Sequence, residues 1–240
     1  MRCAAAVVAG LVMLVATQAN ARAEVDANNP TCPRIDSVFG PLGRPMVIGV
    51  DKVGGRRVLK LQGAIAAGLG ERVRQEIKKH QPLDEVWLGS SGGDAAEGLK
   101  IGRVIREAGL PTRVPNGWGC ASSCNFAFLG GPIRSVEPKG VFAVHMFTVT
   151  NSDDYRSFVE LIRKTPNAEP ILNNIARREQ ASAMLASESN DFIIRMGVSR
   201  NLLTEVMYPQ KADNFDPQNM STLRCLSAAE MVRYNVVNAD

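Results

Sequence analysis

The segment from Asp84 to Ala108 constrains the fold more than any other. Asp84 to Leu88 (DEVWL) reads as a strand, and Gly89-Ser90-Ser91-Gly92-Gly93-Asp94 follows at once. Ala95 to Ala108 then repeats apolar residues at helical spacing through Ala96, Leu99, Val104 and Ile105. Strand, glycine turn and helix in direct succession form an α/β unit. The two adjacent glycines let the backbone turn its amides toward a ligand. The turn lacks both the lysine of a phosphate loop and the glycine spacing of a dinucleotide site, so it is not a nucleotide loop.

Related elements lie on either side. Met46 to Val50 is a strand, Asp51 to Gly55 a turn and Arg57 to Leu61 the returning strand. A helix is expected over Ala66 to His80, with Leu69, Val73 and Ile77 on one face. Leu110 to Pro115 is a short strand or extended link. Gly119 to Gly131 (GCASSCNFAFLGG) opens with small and nucleophilic residues and turns apolar, as a tight turn feeding a buried helix does. Pro132 to Gly140 reads as a loop, and Val141 to His145 as a buried strand ending in a histidine. Ser152 to Tyr208 is helical and polar, broken by Pro166 and Pro170, which predicts at least two helices forming an arm. Tyr208 to Leu223 is loop. Leu226 to Tyr234 closes as a helix with Ser227 and Glu230 in capping-box positions.

The N-terminus reads as a leader, not as part of the fold. Arg2 precedes an uncharged apolar run from Cys3 to Ala16, and Ala19-Asn20-Ala21 and Ala21-Arg22-Ala23 both match a signal-peptidase site. The run is short of the roughly 20 residues that span a bilayer. Residues 1–23 are therefore expected to leave a secreted, periplasmic chain after cleavage near Ala21 or Ala23. Residues 24–45 would be an irregular lead-in, and 46–240 one domain with a helical insertion over about 151–207. Residues 1–23 hold two arginines and no acid, so formal charge falls from +4 to +2, with 26 basic against 24 acidic residues. That balance and sparse aromatics exclude a phosphate-tracking or base-stacking surface, so nucleic acid is not an expected partner.

Cys3 departs with the leader, and Cys32, Cys120, Cys124 and Cys225 remain. An even number of cysteines in an oxidising compartment predicts two disulfides, and three connectivities are open. If residues 120–124 form one helical turn, those two cysteines lie within disulfide range, and Cys32 and Cys225 then pair by elimination. The two histidines show no ligand spacing with a cysteine, so no metal site is expected.

Three features each follow a strand: the Gly92-Gly93 pair, the serines of the 119–131 turn, and His145. Gathered on one sheet edge, they would supply oxyanion donors, a nucleophile and a base, the set that acyl transfer requires. The Gly-x-Ser-x-Gly elbow of α/β-hydrolases is missing.

On these residues the chain resembles the Clp protease proteolytic subunit and its secreted relatives in the ClpP/crotonase superfamily. The family's Ser-Pro-Gly-Gly turn corresponds to Ser90-Ser91-Gly92-Gly93, with Ser91 in place of proline. Its Gly-x-Ala-x-Ser motif corresponds to Gly119-Cys120-Ala121-Ser122-Ser123, its histidine strand to Val141 to His145, and its Leu-Ser-x-x-Glu helix to Leu226 to Glu230. The resemblance implies a spiral of ββα units with an inserted helical arm. It implies Ser123, not Ser122, as nucleophile, His145 as general base, and the amides of Gly93 and Cys124 as oxyanion hole. It implies hydrolysis of peptides or unfolded proteins without cofactor, self-association through the 152–205 region, and no ATPase partner in a compartment without ATP. The family's catalytic Asp position is Leu223 here, which leaves Thr222, Ser221 or Asp216 as candidates to orient the histidine. Asn235 stands where the family has a glycine. Lys139 is the nearest lysine for a Ser-Lys dyad, and a crotonase-like acyl-CoA enzyme would use the same oxyanion hole. A catalytically weak or inactive fold acting in binding or assembly is the alternative to which Leu223 points.

Overall fold

The computed structural model describes residues 25–26, 29–33, 38–39, 43–145, 160–164, 169–207 and 223–239. Two strands, β1 (Val25–Asp26) and β2 (Asn29–Pro33), pair antiparallel ahead of the body. The body begins with β3 (Val47–Val53) and β4 (Arg56–Gln62), an antiparallel hairpin in register from Val47↔Gln62 to Val53↔Arg56. Gly54 and Gly55 both take positive φ, 57° and 84°, which a two-residue hairpin turn requires. β3 thus runs three residues into the expected turn and β4 begins one residue earlier than expected, because two glycines suffice to reverse the chain.

Helix α1 (Leu69–His80) buries Leu69, Val73 and Ile77, the residues placed four apart on one face. Strand β5 (Glu85–Gly89) and helix α2 (Ala95–Ala108) follow. Asp94 caps α2 by accepting from Glu97 N–H at 2.9 Å, and Gly109 ends it in the left-handed conformation. Then come β6 (Thr112–Val114), β7 (Gly119–Ala121), α3 (Ser123–Leu129), β8 (Arg134–Val136) and β9 (Val141–Val144). β7 and β8 fall in segments expected to be turn and loop. Three residues are too few to show a period, and both strands exist through their neighbours' hydrogen bonds.

Two sheets result. The larger has the order β3-β4-β5-β6-β8, parallel from β4 onward. The smaller has the order β10-β9-β7, where β10 (Arg224–Cys225) runs antiparallel to β9 and β7 parallel to it. They meet at one bridge, where Ser90 N–H donates to Gly119 O at 2.8 Å and Ala121 N–H donates to Ser90 O at 3.0 Å. The main core is shared by β4, β5, α1, α2 and α3, with Val58, Leu59, Val86, Leu99, Ile105 and Phe128 essentially without solvent contact.

Helices α2 and α3 touch backbone to backbone. A Cβ on Gly98 would lie 2.3 Å from Ser123 O, and one on Gly102 would lie 2.3 Å from Phe126 O. Glycine four residues apart on α2 keeps that face bare.

Helix α4 (Glu169–Arg195) is a single helix of 27 residues. Pro170 sits in its first turn, where a missing N–H costs nothing, and so does not break it. Only its C-terminal part joins the core: Phe192 meets Phe126 edge-on at 6.4 Å, while Leu172 and Met184 are more than 60% exposed. A wide helical turn, Leu202–Met207, packs beside it. Helix α5 (Ala228–Arg233) closes the chain with both hydrogen bonds of the expected capping box, and Asn235 takes φ 55° after it.

Two buried charges fasten these pieces. Arg134, 1% exposed, donates to the carbonyls of Val236, Gly131, Met196 and Asn235, tying the C-terminus and the end of α4 to β8. No carboxylate answers it in these bonds, and burial, with Arg106 nearby, pushes it down to about 10. Glu97 on α2 accepts from Lys100 Nζ at 2.7 Å and from Gly70 N–H at 2.8 Å, covering a first-turn amide of α1. These two bonds hold its carboxyl below the ordinary value of 4.5, against the opposing effect of burial.

A depressed carboxylate contributes stability above its unfolded value, and loses it as pH falls through the folded one. Glu97→Gln should therefore lower unfolding free energy at neutral pH by on the order of 1.5 kcal/mol. The difference from wild type should shrink below about pH 4.5. Urea melts at pH 7 and pH 3 measure both.

Candidate active site

The bridge at Ser90 sets the geometry. It runs the turn after β5 alongside β7, so Gly92 and Gly93 face the turn between β7 and α3. Ser90, 1% exposed, accepts from Gly92 N–H at 3.0 Å through its hydroxyl and holds the glycine turn in shape. Ile65 N–H donates to Gly92 O, and Asp94 N–H donates to Ile65 O, so the Gly93 N–H lies outside that bridge. Gly93, at φ 140°, could not carry a side chain: its Cβ would lie 2.1 Å from Ile65 O.

Ser122 occupies the turn itself, at φ 58° and ψ −130°. A serine in that region is strained by about 1–3 kcal/mol, and only surrounding structure can hold it there. Three restraints do so. Asn125 N–H donates to Ser122 O at 2.9 Å. A Cys120–Cys124 disulfide spans the turn, with Cα atoms 5.3 Å apart. Gly92 leaves room for the side chain, since a Cβ there would lie 2.4 Å from Ser122 Cβ and 2.9 Å from its Oγ. The second disulfide, Cys32–Cys225, joins β2 to β10 and closes a loop with a sequence separation of 193. Cys120 and Cys124 are close because a strand ends where a helix begins, not because they share a helical turn.

The two adjacent serines are not equivalent. Ser123 is 1% exposed, its Oγ is buried without a hydrogen-bond partner among the described residues, and its Cβ packs toward Gly98 of α2. Ser122 is partly exposed and stands at the bend. The sequence match implies Ser123 as the reactive hydroxyl, and both serines line the cavity described next.

A cavity of about 190 Å³ opens at this point. Gly93, Ser122, Ser123, Asn125 and His145 line its polar side. Cys124, whose backbone amide was expected as an oxyanion donor, is buried in the first turn of α3 with its sulfur bonded to Cys120. Asn125, Phe126 and Leu129 lie three, four and seven residues beyond Ser122, one face of α3, and extend the wall inward. Ile193 of α4 and Leu202 and Met207 of the wide turn roof it. Sequence reasoning had no signal for Asn125 or for these roof residues, because their role comes from helices packed from distant parts of the chain.

His145 ends β9 at the cavity mouth, half-buried. β10 pairs with β9 as Arg224↔Val144 and Cys225↔Ala143, so Leu223 and His145 each lie one residue beyond the paired segment. Leu223 packs against a small apolar cluster of Cys32, Ala121, Ala143 and Cys225. Thr222, Ser221 and Asp216 lie outside the described residues. Lys139 takes part in a loop at the other end of β9, with its N–H on Asn116 Oδ1, and does not line the cavity.

No protein-family profile matches this chain, and no curated protein matches it in sequence. Solved structures do. A ClpP1 mutant from Listeria monocytogenes aligns over 76% of this chain and 89% of its own, with 16% identity and a TM-score of 0.50. A mutant of the membrane-bound stomatin-specific protease 1510-N aligns over 76% of each chain, with 14% identity and a TM-score of 0.46. The fold is therefore the ClpP-like α/β fold, as the sequence motifs implied.

Gly92→Ala should cost more than an ordinary surface change, because the new methyl meets Ser122 Cβ at 2.4 Å and the residue holds φ 103°. A loss of about 1–3 kcal/mol is expected in denaturant melts. Thiol titration of the denatured, unreduced protein should find no free thiol among residues 24–240; two per chain would refute the pairing in the structure.

Proposed function

We propose that this chain is a secreted ClpP-like serine peptidase that uses Ser122 as nucleophile and His145 as general base. The observation that carries the reading is the strained Ser122 turn, held against Gly92 and opening into the cavity that His145 also lines. In this mechanism His145 takes the Ser122 hydroxyl proton as Oγ attacks the peptide carbonyl. The oxyanion meets the N–H groups of Gly93 and Ser123, the residue following the nucleophile. The C–N bond breaks as the imidazolium returns the proton to the leaving amine. Water, activated by the same histidine, then releases the acyl group. None of these steps calls on a cofactor or a metal.

Export is supported by the apolar N-terminal run with its small-residue cleavage sites and by two cysteine pairs at bonding distance. Self-association is supported by α4, whose outer half presents Leu172, Ile175 and Met184 to solvent. Light scattering at micromolar concentration should give a multiple of the chain mass, and a monomer would count against this part.

Leu223, at the position where the resembled family carries its catalytic Asp, favours a second reading, a ClpP-like fold that binds or assembles and turns over little. A fluorophosphonate probe separates the two. The peptidase reading expects one adduct, mapped by mass spectrometry to Ser122 and lost in Ser122→Ala. An adduct on Ser123 would restore the register implied by the sequence match, and no adduct would favour the binding protein.

A further inference from the structure

The cavity wall beyond Ser122 holds two polar side chains that the chemistry above leaves unused, Ser123, whose Oγ is buried without a partner among the described residues, and Asn125. Asn125 is 7% exposed. Its Nδ2 donates to Ala143 O at 2.8 Å, which fixes the amide's orientation and turns Oδ1 away from β9. That Oδ1 is buried and has no hydrogen-bond partner among the described residues. A buried amide oxygen without a donor forfeits the hydrogen bonds it makes in water, and sites of this kind are filled by a ligand or an ordered water. Asn125 lies one helical turn from Ser122 on the same face of α3, and both line the cavity.

Resting on the acyl-transfer reading of this site, we infer that Asn125 is a specificity-determining residue. Its Oδ1 accepts a hydrogen bond from the side chain on the acyl side of the scissile bond, and that side chain is a neutral carboxamide. Three observations select this chemistry. Oδ1 can only accept, so the occupant must donate. Among the described residues no carboxylate lines the cavity, so these walls offer the charge of a lysine or arginine no partner. Asn125 lies past the Ser122 bend in a wall that is otherwise largely apolar, where a donor carried on methylenes, as in glutamine, fits better than a serine or threonine hydroxyl. The surrounding Phe126, Leu129, Phe142, Ile193 and Leu202 suit the methylenes of such a side chain.

Glutamine and methionine are close in size, so a pair of peptides differing only there isolates the donor. The Ser122→Ala variant of the chain, with each peptide verified intact by mass spectrometry after the run, is titrated calorimetrically with an acetylated tetrapeptide amide carrying Gln or Met at the position to be attacked. Binding read this way does not depend on catalysis, so its outcome is separate from the fluorophosphonate result. The Gln peptide should bind roughly tenfold tighter or more, because a site built around a hydrogen bond rejects the analogue that lacks it. Adding Asn125→Leu should reverse the order. Equal or tighter binding of the Met peptide would overturn the inference and leave Oδ1 to a water. So would binding of neither peptide, or a Gln preference that survives Asn125→Leu. The single-variant ratio decides the matter even if Asn125→Leu fails to fold.

Discussion

Backbone meets backbone around Ser122 because glycine stands wherever a side chain would intervene. Gly92 leaves the space taken by the Ser122 side chain, Gly93 presses on Ile65 O, Gly98 on Ser123 O, and Gly102 on Phe126 O. These contacts bring the turn after β5, the start of α3 and the face of α2 within van der Waals reach. Every further property of the site depends on that approach. A methyl on Gly92 would meet Ser122 Cβ, and one on Gly93 would meet Ile65 O.

The strain at Ser122 is offset by covalent and hydrogen-bonded restraint rather than by burial. A disulfide across Cys120 and Cys124 shortens the paths by which the turn could relax, and the Asn125 N–H bond closes the first turn of α3 behind it. The neighbouring sheet is braced in the same way, since Cys32–Cys225 secures β10, and β10 secures β9 with its terminal histidine. A cross-link over so long a loop removes about 5 kcal/mol of unfolded-state entropy in the chain-entropy account. Both staples thus bear on strands that carry functional side chains.

Buried polar groups fall into two kinds. Glu97 and Arg134 are answered on all the sides the fold presents to them, and their work is to fasten helix ends and the C-terminus. Asn125 is answered on one side only. Protein interiors leave few such atoms unpaired, so this asymmetry within one residue distinguishes a group available to a ligand from one consumed by folding.

The sequence by itself determined the regular elements whose signals are local. The period of Leu69, Val73 and Ile77, the span of α2 from Ala95 to Ala108, and the capping box of Ser227 and Glu230 all reappear in place. The motif order of glycine pair, serine turn and strand-end histidine was enough to indicate the ClpP-like fold. Tertiary structure alone decided the rest. β7, β8 and β10 are two or three residues long and exist through pairing with distant strands, which no local period records. Ser122 and Ser123 both line the cavity, and the chain bends between β7 and α3 at φ 58°, where α3 begins against Gly98. Asn125 faces Ala143 and the cavity because residues far apart in the chain close around it, and packing of that kind is decided in three dimensions.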